Sequence, residues 1–326
     1  MLALPSEGEV AMRSWISGAC AVLVLIVGVG CGNGVGLETP MSPVDLDETE
    51  HEAAWLGEER TDFDVLDGTW SEGGMCNGET ISSRSAERML ALTQLGNSED
   101  IYTTYNRIDR IASLFEACGD PWGMFPTAYR HITARIIRAL ERGEIEDVAW
   151  GRAIVLDFAR RYFENLRAAL LGQTPSYAWN HYYNLADNPD ASRTRAVVVA
   201  MVAHLTLDLP YAMVAIDTVE SQRDDFFELG DLMIEITPDF IDDLDRYYGA
   251  DTEDILNGFF FGDWVDGAFG PNTTITLSYQ TIRTKSWNNR WYLEQSWGEW
   301  VAESEIYAAF WNIDGVLATL DAAGTI

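Results

Sequence analysis

Two residues near the middle of the chain have the types and the spacing for acid–base chemistry. His204 and Asp208 lie four residues apart, directly after the apolar run 196–203. In a helix, this offset places both side chains on one face. A histidine beside a carboxylate can act as a general base, because the imidazole pKa lies near neutral pH. The apolar run predicts that the pair is buried, and buried polar groups must find partners inside the fold.

Two interpretations of this pair stay open. In the first, which we prefer, the pair is structural. Pro210 ends or kinks the helix, and Asp208 caps the segment 209–219 by accepting a hydrogen bond from the Tyr211 amide. In the second, the pair forms a small catalytic site in the core, with His204 as a base or a metal ligand.

Tyr129 and Tyr162 are the tyrosines that we place beside His204, as hydrogen-bond partners in the structural interpretation and as supporting groups in the catalytic one. A single divalent metal at His204 and Asp208 is a weaker variant of the catalytic site, and we expect no cofactor. The chain has only four histidines, too few for the three-zinc cluster of helical phospholipases C. It also has no Gly-x-Ser-x-Gly, phosphate-loop or dinucleotide motif.

A second candidate site lies in the C-terminal part of the chain, where tryptophans are dense and basic residues are rare. Arg283 could bind an anionic ligand, and Trp287 with the neighbouring tryptophans could form the rim of a site for an apolar or sugar ligand. The alternative, which we prefer, is that the tryptophans pack between helices and that Arg283 and Lys285 pair with carboxylates of the core.

The N-terminal residues predict export and lipid anchoring. Ten apolar or small residues at 21–30 follow Arg13, the layout of a secretory signal peptide over residues 1–30. The residues before Cys31 resemble a bacterial lipobox. That resemblance implies a diacylglycerol and a further acyl chain, such as palmitate, on Cys31, and hence attachment to a lipid bilayer. Cleavage without lipidation is the alternative, and translation could begin at Met1 or Met12. We therefore expect a lipoprotein of the bacterial cell envelope.

Residues 31–66 are expected to form a flexible acidic tether. Ten acidic residues and one basic residue lie between residues 38 and 64, and such a composition stays solvated. The whole chain has a formal net charge of −31, which argues against nucleic acid as a partner. The expected partners are the bilayer and an unknown small ligand or envelope protein.

Two cysteines remain in the domain that we place at residues 67–326. In an oxidising compartment, Cys76 and Cys118 could form a disulfide that closes a loop of about 40 residues. Two separate buried thiols are the alternative. Neither cysteine has a second cysteine at the spacing of a zinc site.

Hydrophobic periodicity is helical through nearly the whole domain, and it predicts an all-α fold, a single bundle of about eight to ten helices. Asp147 and Ser192 are expected to cap helices. The segment 173–189 is assigned to a connecting loop with aromatic anchors, and the glycine-punctuated segment 258–272 to an ordered loop. No segment has the alternation of a convincing strand. The predicted helices are 99–117, 126–142, 148–171, one after Ser192, 221–235, 238–248, 251–258, 275–292 and 296–320.

Short landmarks between residues 125 and 300 occur in the order typical of one bacterial family. They are Phe125, Tyr129 and Thr133 of FPTAYRHIT, the segment GEIEDVAW, Phe158, Tyr162 and Phe163 of FARRYFENLRA, the segment AWNHYY, and the segment VVVAMVAHLTLDLPYAM. In these landmarks the chain resembles the family grouped as domain of unknown function 5995. Val202 and the pair Thr206-Leu207 depart from the family pattern, which has Asn at the first position and a more polar pair at the second.

The resemblance implies a fold and a set of landmarks but no substrate. We therefore expect an exported, lipid-anchored helical protein that binds a ligand or partner at the cell envelope. The alternative is a hydrolase-like or metal-assisted enzyme that uses His204 and Asp208.

Overall fold

Eleven α-helices make up most of the residues that the computed structural model describes, which are 75–76, 79–80, 83–96, 99–256 and 279–326. The all-α fold class predicted from the sequence is confirmed. The expected signal peptide, Cys31, the acidic tether and the loop 258–272 lie outside the described residues.

The helices follow one another with short connections. They are α1 (Ser83–Leu92), α2 (Ile101–Cys118), α3 (Met124–Arg142), α4 (Val148–Leu170), α5 (Tyr177–Asp187), α6 (Arg193–Ala203), α7 (Leu209–Ala215), α8 (Arg223–Glu235), α9 (Thr237–Tyr248), α10 (Tyr279–Glu294) and α11 (Glu299–Ala322). A π-helical turn (His204–Asp208) joins α6 to α7, and two 3-10 turns (Pro121–Gly123 and Glu220–Gln222) precede α3 and α8. Residues 253–256 form a further helical turn.

The caps of two helices follow the sequence prediction. The Asp147 carboxylate accepts a hydrogen bond from the Trp150 amide at the start of α4. The Ser192 hydroxyl accepts one from the Arg195 amide at the start of α6. Each cap satisfies a backbone donor that has no partner within its helix.

The assignment of 173–189 to a loop is wrong, because residues 177–187 form helix α5. The Thr174-Pro175 and Asn188-Pro189 pairs that suggested a loop are the boundaries of this helix. Between them, Trp179, Tyr182, Tyr183 and Ala186 are buried on one face, with the spacing of three and four that packs a helix against its neighbours.

The segment Arg193–Ala215, which contains α6 and α7, lies at the centre of the bundle. It is long and apolar enough to cross a bilayer, but 83% of its most apolar stretch is buried within the fold. Helices α5, α10 and α11 pack against this segment, and so does α4. We therefore interpret it as the core helix around which the bundle is built.

Cys76 and Cys118 are joined by a disulfide in the structure. This bond ties the end of α2 to a two-residue antiparallel pair, in which Met75–Cys76 (β1) faces Glu79–Thr80 (β2). The pair is too short to show the alternation by which a strand is recognised in a sequence.

Candidate functional site

The backbone around His204 is unusual because the central helix does not break at Pro210. Pro210 has no amide hydrogen, so the regular ladder of hydrogen bonds cannot continue through it. The chain widens instead into the π turn, and the Leu209 amide donates to the His204 carbonyl. The Leu205 carbonyl, which loses its regular donor, accepts a hydrogen bond of 2.6 Å from the Ser286 hydroxyl on α10. The helix therefore does not end at this proline, and that part of the prediction is wrong; the π turn is a feature at which helices commonly kink.

His204 and Asp208 form a direct hydrogen bond across this turn. Nδ1 of His204 lies 2.8 Å from Oδ2 of Asp208. The same oxygen accepts a second hydrogen bond of 2.8 Å from Nε1 of Trp179 on α5. The exposed fraction is 3% for His204 and 4% for Asp208. The structure therefore brings the two residues together as a buried pair, with a tryptophan as third partner.

The expectation that Asp208 caps the following helix is wrong. Its backbone is already helical, and its side chain makes no capping hydrogen bond with α7. A helix that continues through the π turn has no free amides at this point, so the carboxylate is available to His204 and Trp179.

Burial lowers the pKa of His204 below its ordinary value of 6.5, against the opposing effect of the Asp208 carboxylate. The imidazole is therefore neutral near pH 7, with the hydrogen on Nδ1 donated to Asp208. The other nitrogen, Nε2, is buried and has no hydrogen-bond partner among the described residues. A neutral imidazole with a bare Nε2 has the protonation state of a general base.

Aromatic rings surround the imidazole of His204. Phe158 stacks on the imidazole with 3.4 Å between ring centroids, and Tyr129 meets it edge-on at 5.0 Å. Phe125 and Trp179 contact it from other sides. The expected hydrogen bond from His204 to a tyrosine is absent from the described part of the chain. Tyr129 contacts the imidazole through its aromatic ring and not through its hydroxyl.

Tyr162 lies one layer further out and contacts Phe125 and Tyr129, with its hydroxyl buried and unpartnered among the described residues. Burial raises the pKa of Tyr162, and burial together with the Asp208 carboxylate raises the pKa of Tyr129. Both phenols therefore stay protonated, and neither can act as a base near neutral pH.

A crevice lies on the far side of Phe158 and Tyr129 from His204. It has a volume of about 30 Å³, and its wall is built from α3, α4, α7, α8 and α10. Apolar side chains make most of this wall: Ile132, Ile136, Ile154, Val155, Leu209, Phe226, Leu229 and Met233. Phe158 is partly exposed, so the ring that stacks on His204 also forms part of the crevice. His204 and Asp208 do not line it.

Arg283 is the charged residue in the wall of this crevice. It is 3% exposed, and its guanidinium donates to the Phe226 carbonyl and to the Tyr279 hydroxyl. The guanidinium carbon also lies 4.1 Å from the centroid of the Phe226 ring. These partners are all neutral. Nε of Arg283 has no hydrogen-bond partner, and no carboxylate pairs with the guanidinium, among the residues described.

The preferred interpretation of Arg283 as the partner of a core carboxylate is therefore wrong for the described part of the chain. Lys285 does pair with a carboxylate, at 2.5 Å from Glu305, but both side chains are partly exposed, so this pair is not in the core. Trp287 is buried against Phe226, with Arg290 over its ring, and does not line the crevice. The structure thus places Arg283 at a candidate ligand site and Trp287 in the packing beside it.

Gly230 on α8 makes room for Arg283. A Cβ atom at this position would lie 2.6 Å from Nε of Arg283, a distance that requires the guanidinium to move. A glycine inside a helix is normally unfavourable, so its presence opposite a buried cation fits a requirement for space. Residues 230 and 283 are 53 positions apart, so no local pattern connects them.

Two further histidine–aspartate pairs were not foreseen. His131 lies 2.7 Å from Asp243, which also binds Arg130. His181 lies 2.9 Å from Asp314, which also binds Arg195. The partners are more than 100 residues apart along the chain, so no local spacing indicates them.

Each of these aspartates is buried enough to raise its pKa, but the hydrogen bonds from histidine and arginine outweigh burial and lower the pKa of both Asp243 and Asp314. The three histidines that the structure describes are therefore each held by one aspartate. Within the same residues, no group of three histidine, cysteine, aspartate or glutamate side chains is placed to hold a metal ion.

Comparison with known proteins gives a family but no activity. The model of the Family of unknown function (DUF5995) matches residues 101–318, which include α2, most of α11, the His204–Asp208 pair and the crevice. No curated protein matches the chain, and no solved structure does. Because the matched region covers more than half of the sequence, the chain belongs to the Family of unknown function (DUF5995).

Proposed function

We propose that the helical domain binds a small ligand with an apolar body and a single negative charge, such as a carboxylate, and that Arg283 recognises the charge. The observation that carries this proposal is the buried guanidinium, which meets neutral partners in the wall of an otherwise apolar crevice. Apolar pockets with a few polar groups are the usual form of small-molecule sites.

The energetic argument concerns the charge of Arg283, which no carboxylate of the described residues pairs. A buried ion without a counter-ion costs on the order of several kcal/mol, and two hydrogen bonds to neutral acceptors offset only part of that cost. A carboxylate beside the guanidinium would add a charge-assisted hydrogen bond in a region of low dielectric constant. A ligand carboxylate would therefore offset the free energy that the protein loses by burying Arg283, and this gain would contribute to its affinity.

The size of the crevice sets a condition on the ligand. A volume of about 30 Å³ has room for one or two water molecules at most, so a longer ligand must widen it. Met233 in the wall has a flexible side chain that suits such adjustment. The chain of the ligand would leave along Phe158 and Ile136, which are partly exposed.

Isothermal titration calorimetry tests the proposal with acetate, butyrate and octanoate, and with octan-1-ol as the neutral control. We expect octanoate to bind at least about tenfold more tightly than octan-1-ol, since the charge-assisted hydrogen bond contributes about 1.5–3 kcal/mol. Arg283→Met should lose this preference. Lys285→Met removes a positive charge from the same helix outside the crevice and should keep it. Failure of all three acids to bind, or equal binding by Arg283→Met, would refute the proposal.

The location that we propose for this binding is the outer side of a bacterial membrane. The apolar leader at 21–30, Cys31 and the acidic stretch 38–64 support export, lipid attachment and a spacer. Labelled palmitate should appear on the full-length protein in bacterial cells, and it should disappear in Cys31→Ser. Label that persists in Cys31→Ser, or a product that keeps residues 1–30, would contradict this location.

The bare Nε2 of His204 supports a second candidate, an enzyme that uses this nitrogen as a base. Such an enzyme would need Phe158 to move, since this ring lies between the imidazole and the crevice. Ester hydrolysis by wild type and by His204→Gln tests it: a rate above the uncatalysed background that is lost in the variant would favour the enzyme. Equal background rates in both proteins would remove it for esters.

A further inference from the structure

Three aromatic rings lie together at the turn between α10 and α11. Their surroundings differ in charge and in shape from the crevice at which we propose that a carboxylate binds. Trp291 and Trp297 are 46% and 57% exposed, and Tyr292 lies between them along the chain. Single exposed apolar residues are common, but exposed apolar residues that cluster often mark a binding site.

The rings are arranged as three walls at large angles to each other. Trp291 and Tyr292 have centroids 5.1 Å apart and planes at 74°. Trp291 and Trp297 are 5.8 Å apart at 75°, and Tyr292 and Trp297 are 6.2 Å apart at 83°. Rings at these angles and distances are in edge-to-face contact, and this cluster, here called the aromatic corner, leaves part of Trp291 and Trp297 open to a ligand.

The backbone holds this corner in place. The turn is closed by hydrogen bonds from the Gln295 amide to the Tyr292 carbonyl and from the Gly298 amide to the Gln295 carbonyl. Gly298 packs so closely that a Cβ atom would lie 2.4 Å from the Tyr292 carbonyl oxygen. The tight turn fixes the backbone that carries Trp297 relative to that of Tyr292, which reduces the conformational freedom lost when a ligand binds.

The charge around the corner is negative. Glu294 and Glu299 flank the turn and are exposed, and Nε of the buried Arg290 lies 3.9 Å from Glu294 and offsets part of its charge. The chain as a whole has a net charge of −31. Such surroundings attract a cation and repel an anion.

We propose that Trp291, Tyr292 and Trp297 form a binding site for a quaternary ammonium group of the choline type. A methylated ammonium has a weakly hydrated positive charge and an apolar surface, and aromatic faces bind both. This group occurs in free choline and in the phosphatidylcholine headgroup, and both sources share the recognition chemistry. The site is separate from the Arg283 crevice and does not depend on the function proposed for it.

Tryptophan fluorescence measures binding directly, with choline as the probe at constant ionic strength. The control ligand is 3,3-dimethylbutan-1-ol, which has the same shape without the charge. We expect saturable binding of choline, at least about fivefold tighter than that of the alcohol. Phosphatidylcholine vesicles, compared with phosphatidylglycerol vesicles, then show whether the headgroup is accepted in a bilayer.

Two variants separate the site from general surface effects. Trp297→Ala removes one wall and should weaken choline binding by about tenfold. Trp300→Ala is the matched control, because Trp300 is 69% exposed on the next helix and makes no ring contact with the described residues. Gly298→Ala should act like Trp297→Ala while leaving every ring in the sequence.

Three results would overturn the proposal: no saturable choline binding, equal binding of choline and the alcohol, or equal losses in Trp297→Ala and Trp300→Ala. Binding of phosphatidylcholine vesicles without binding of free choline would also overturn it, because bilayer insertion of tryptophan would then explain the contact.

Discussion

Removal of the Asp208 carboxylate should destabilise the fold strongly, because two buried donors depend on one oxygen. In Asp208→Ala, the indole hydrogen of Trp179 and the ring hydrogen of His204 lose their acceptor. Moving the hydrogen of His204 to Nε2 does not help, since no described residue accepts a hydrogen bond there. Each buried unsatisfied donor costs about 1–3 kcal/mol.

We therefore expect Asp208→Ala to lower the free energy of unfolding by about 3–4 kcal/mol, after allowing for the relief of burying a carboxylate. Trp179→Phe removes one donor and should cost about 2 kcal/mol. In the double variant the losses should overlap, with a coupling of about 1.5–3 kcal/mol, as for a hydrogen bond to a charged group.

The chain contains a matched control for this cycle. Trp122 donates from Nε1 to Asp187 at 2.8 Å, with the same atoms and the same distance but at an exposed position. Its coupling should be below about 0.5–1 kcal/mol. Urea denaturation of the wild type, the two single variants and the double variant of each pair gives both coupling energies. Equal coupling in the buried and the exposed pair, or a loss below about 1 kcal/mol for Asp208→Ala, would refute the reasoning.

Three further predictions concern pH, space and the disulfide. Burial lowers the pKa of His204 below 6.5 in the folded protein. As the pH falls through 6.5, His204 is therefore protonated in the unfolded chain while it is still neutral in the folded chain. The unfolding free energy of wild type relative to His204→Gln should therefore decrease between about pH 7 and pH 5, and a constant or growing difference in urea denaturation would contradict this. Gly230→Ala places a Cβ atom 2.6 Å from Nε of Arg283. This variant should lower the free energy of unfolding by about 1–3 kcal/mol, measured by thermal unfolding, and should weaken octanoate binding. Unchanged affinity for octanoate would show that the position of the guanidinium does not matter for binding. Serine at both Cys76 and Cys118, which are 42 residues apart, should lower stability by about 4 kcal/mol in the chain-entropy model. Wild type with a reducing agent is the comparison, and equal stability of oxidised and reduced wild type would show that the disulfide contributes nothing.

The sequence predicts the helices well because the apolar periodicity and the caps are local properties. Asp147 and Ser192 cap their helices as expected, since the partner amide is three residues away in each case. Helix α5 was missed because its boundary residues are turn formers and its aromatic face suggested loop anchors. The large apolar residues of this segment recur every three or four positions, and this periodicity would have indicated a helix.

The geometry of the candidate sites could be predicted only in part. The four-residue spacing brings His204 and Asp208 onto one face, but the π turn depends on Ser286 of another helix to bind the freed carbonyl. Trp179, the third partner of the pair, is 29 residues from Asp208. Within the described residues, the lack of a carboxylate beside Arg283 is likewise a property of packing that no local sequence pattern indicates.

The central claim is that the Arg283 guanidinium holds the negative charge of the ligand. Octanoate labelled with carbon-13 at its carboxyl group reports this directly by nuclear magnetic resonance, because the carboxyl shift follows ionisation. A carboxylate held by a buried guanidinium should have a pKa clearly below that of the free acid. The same ligand on Lys285→Met should behave in the same way. A bound carboxyl group that titrates like free octanoate would place the charge in solvent and contradict the claim.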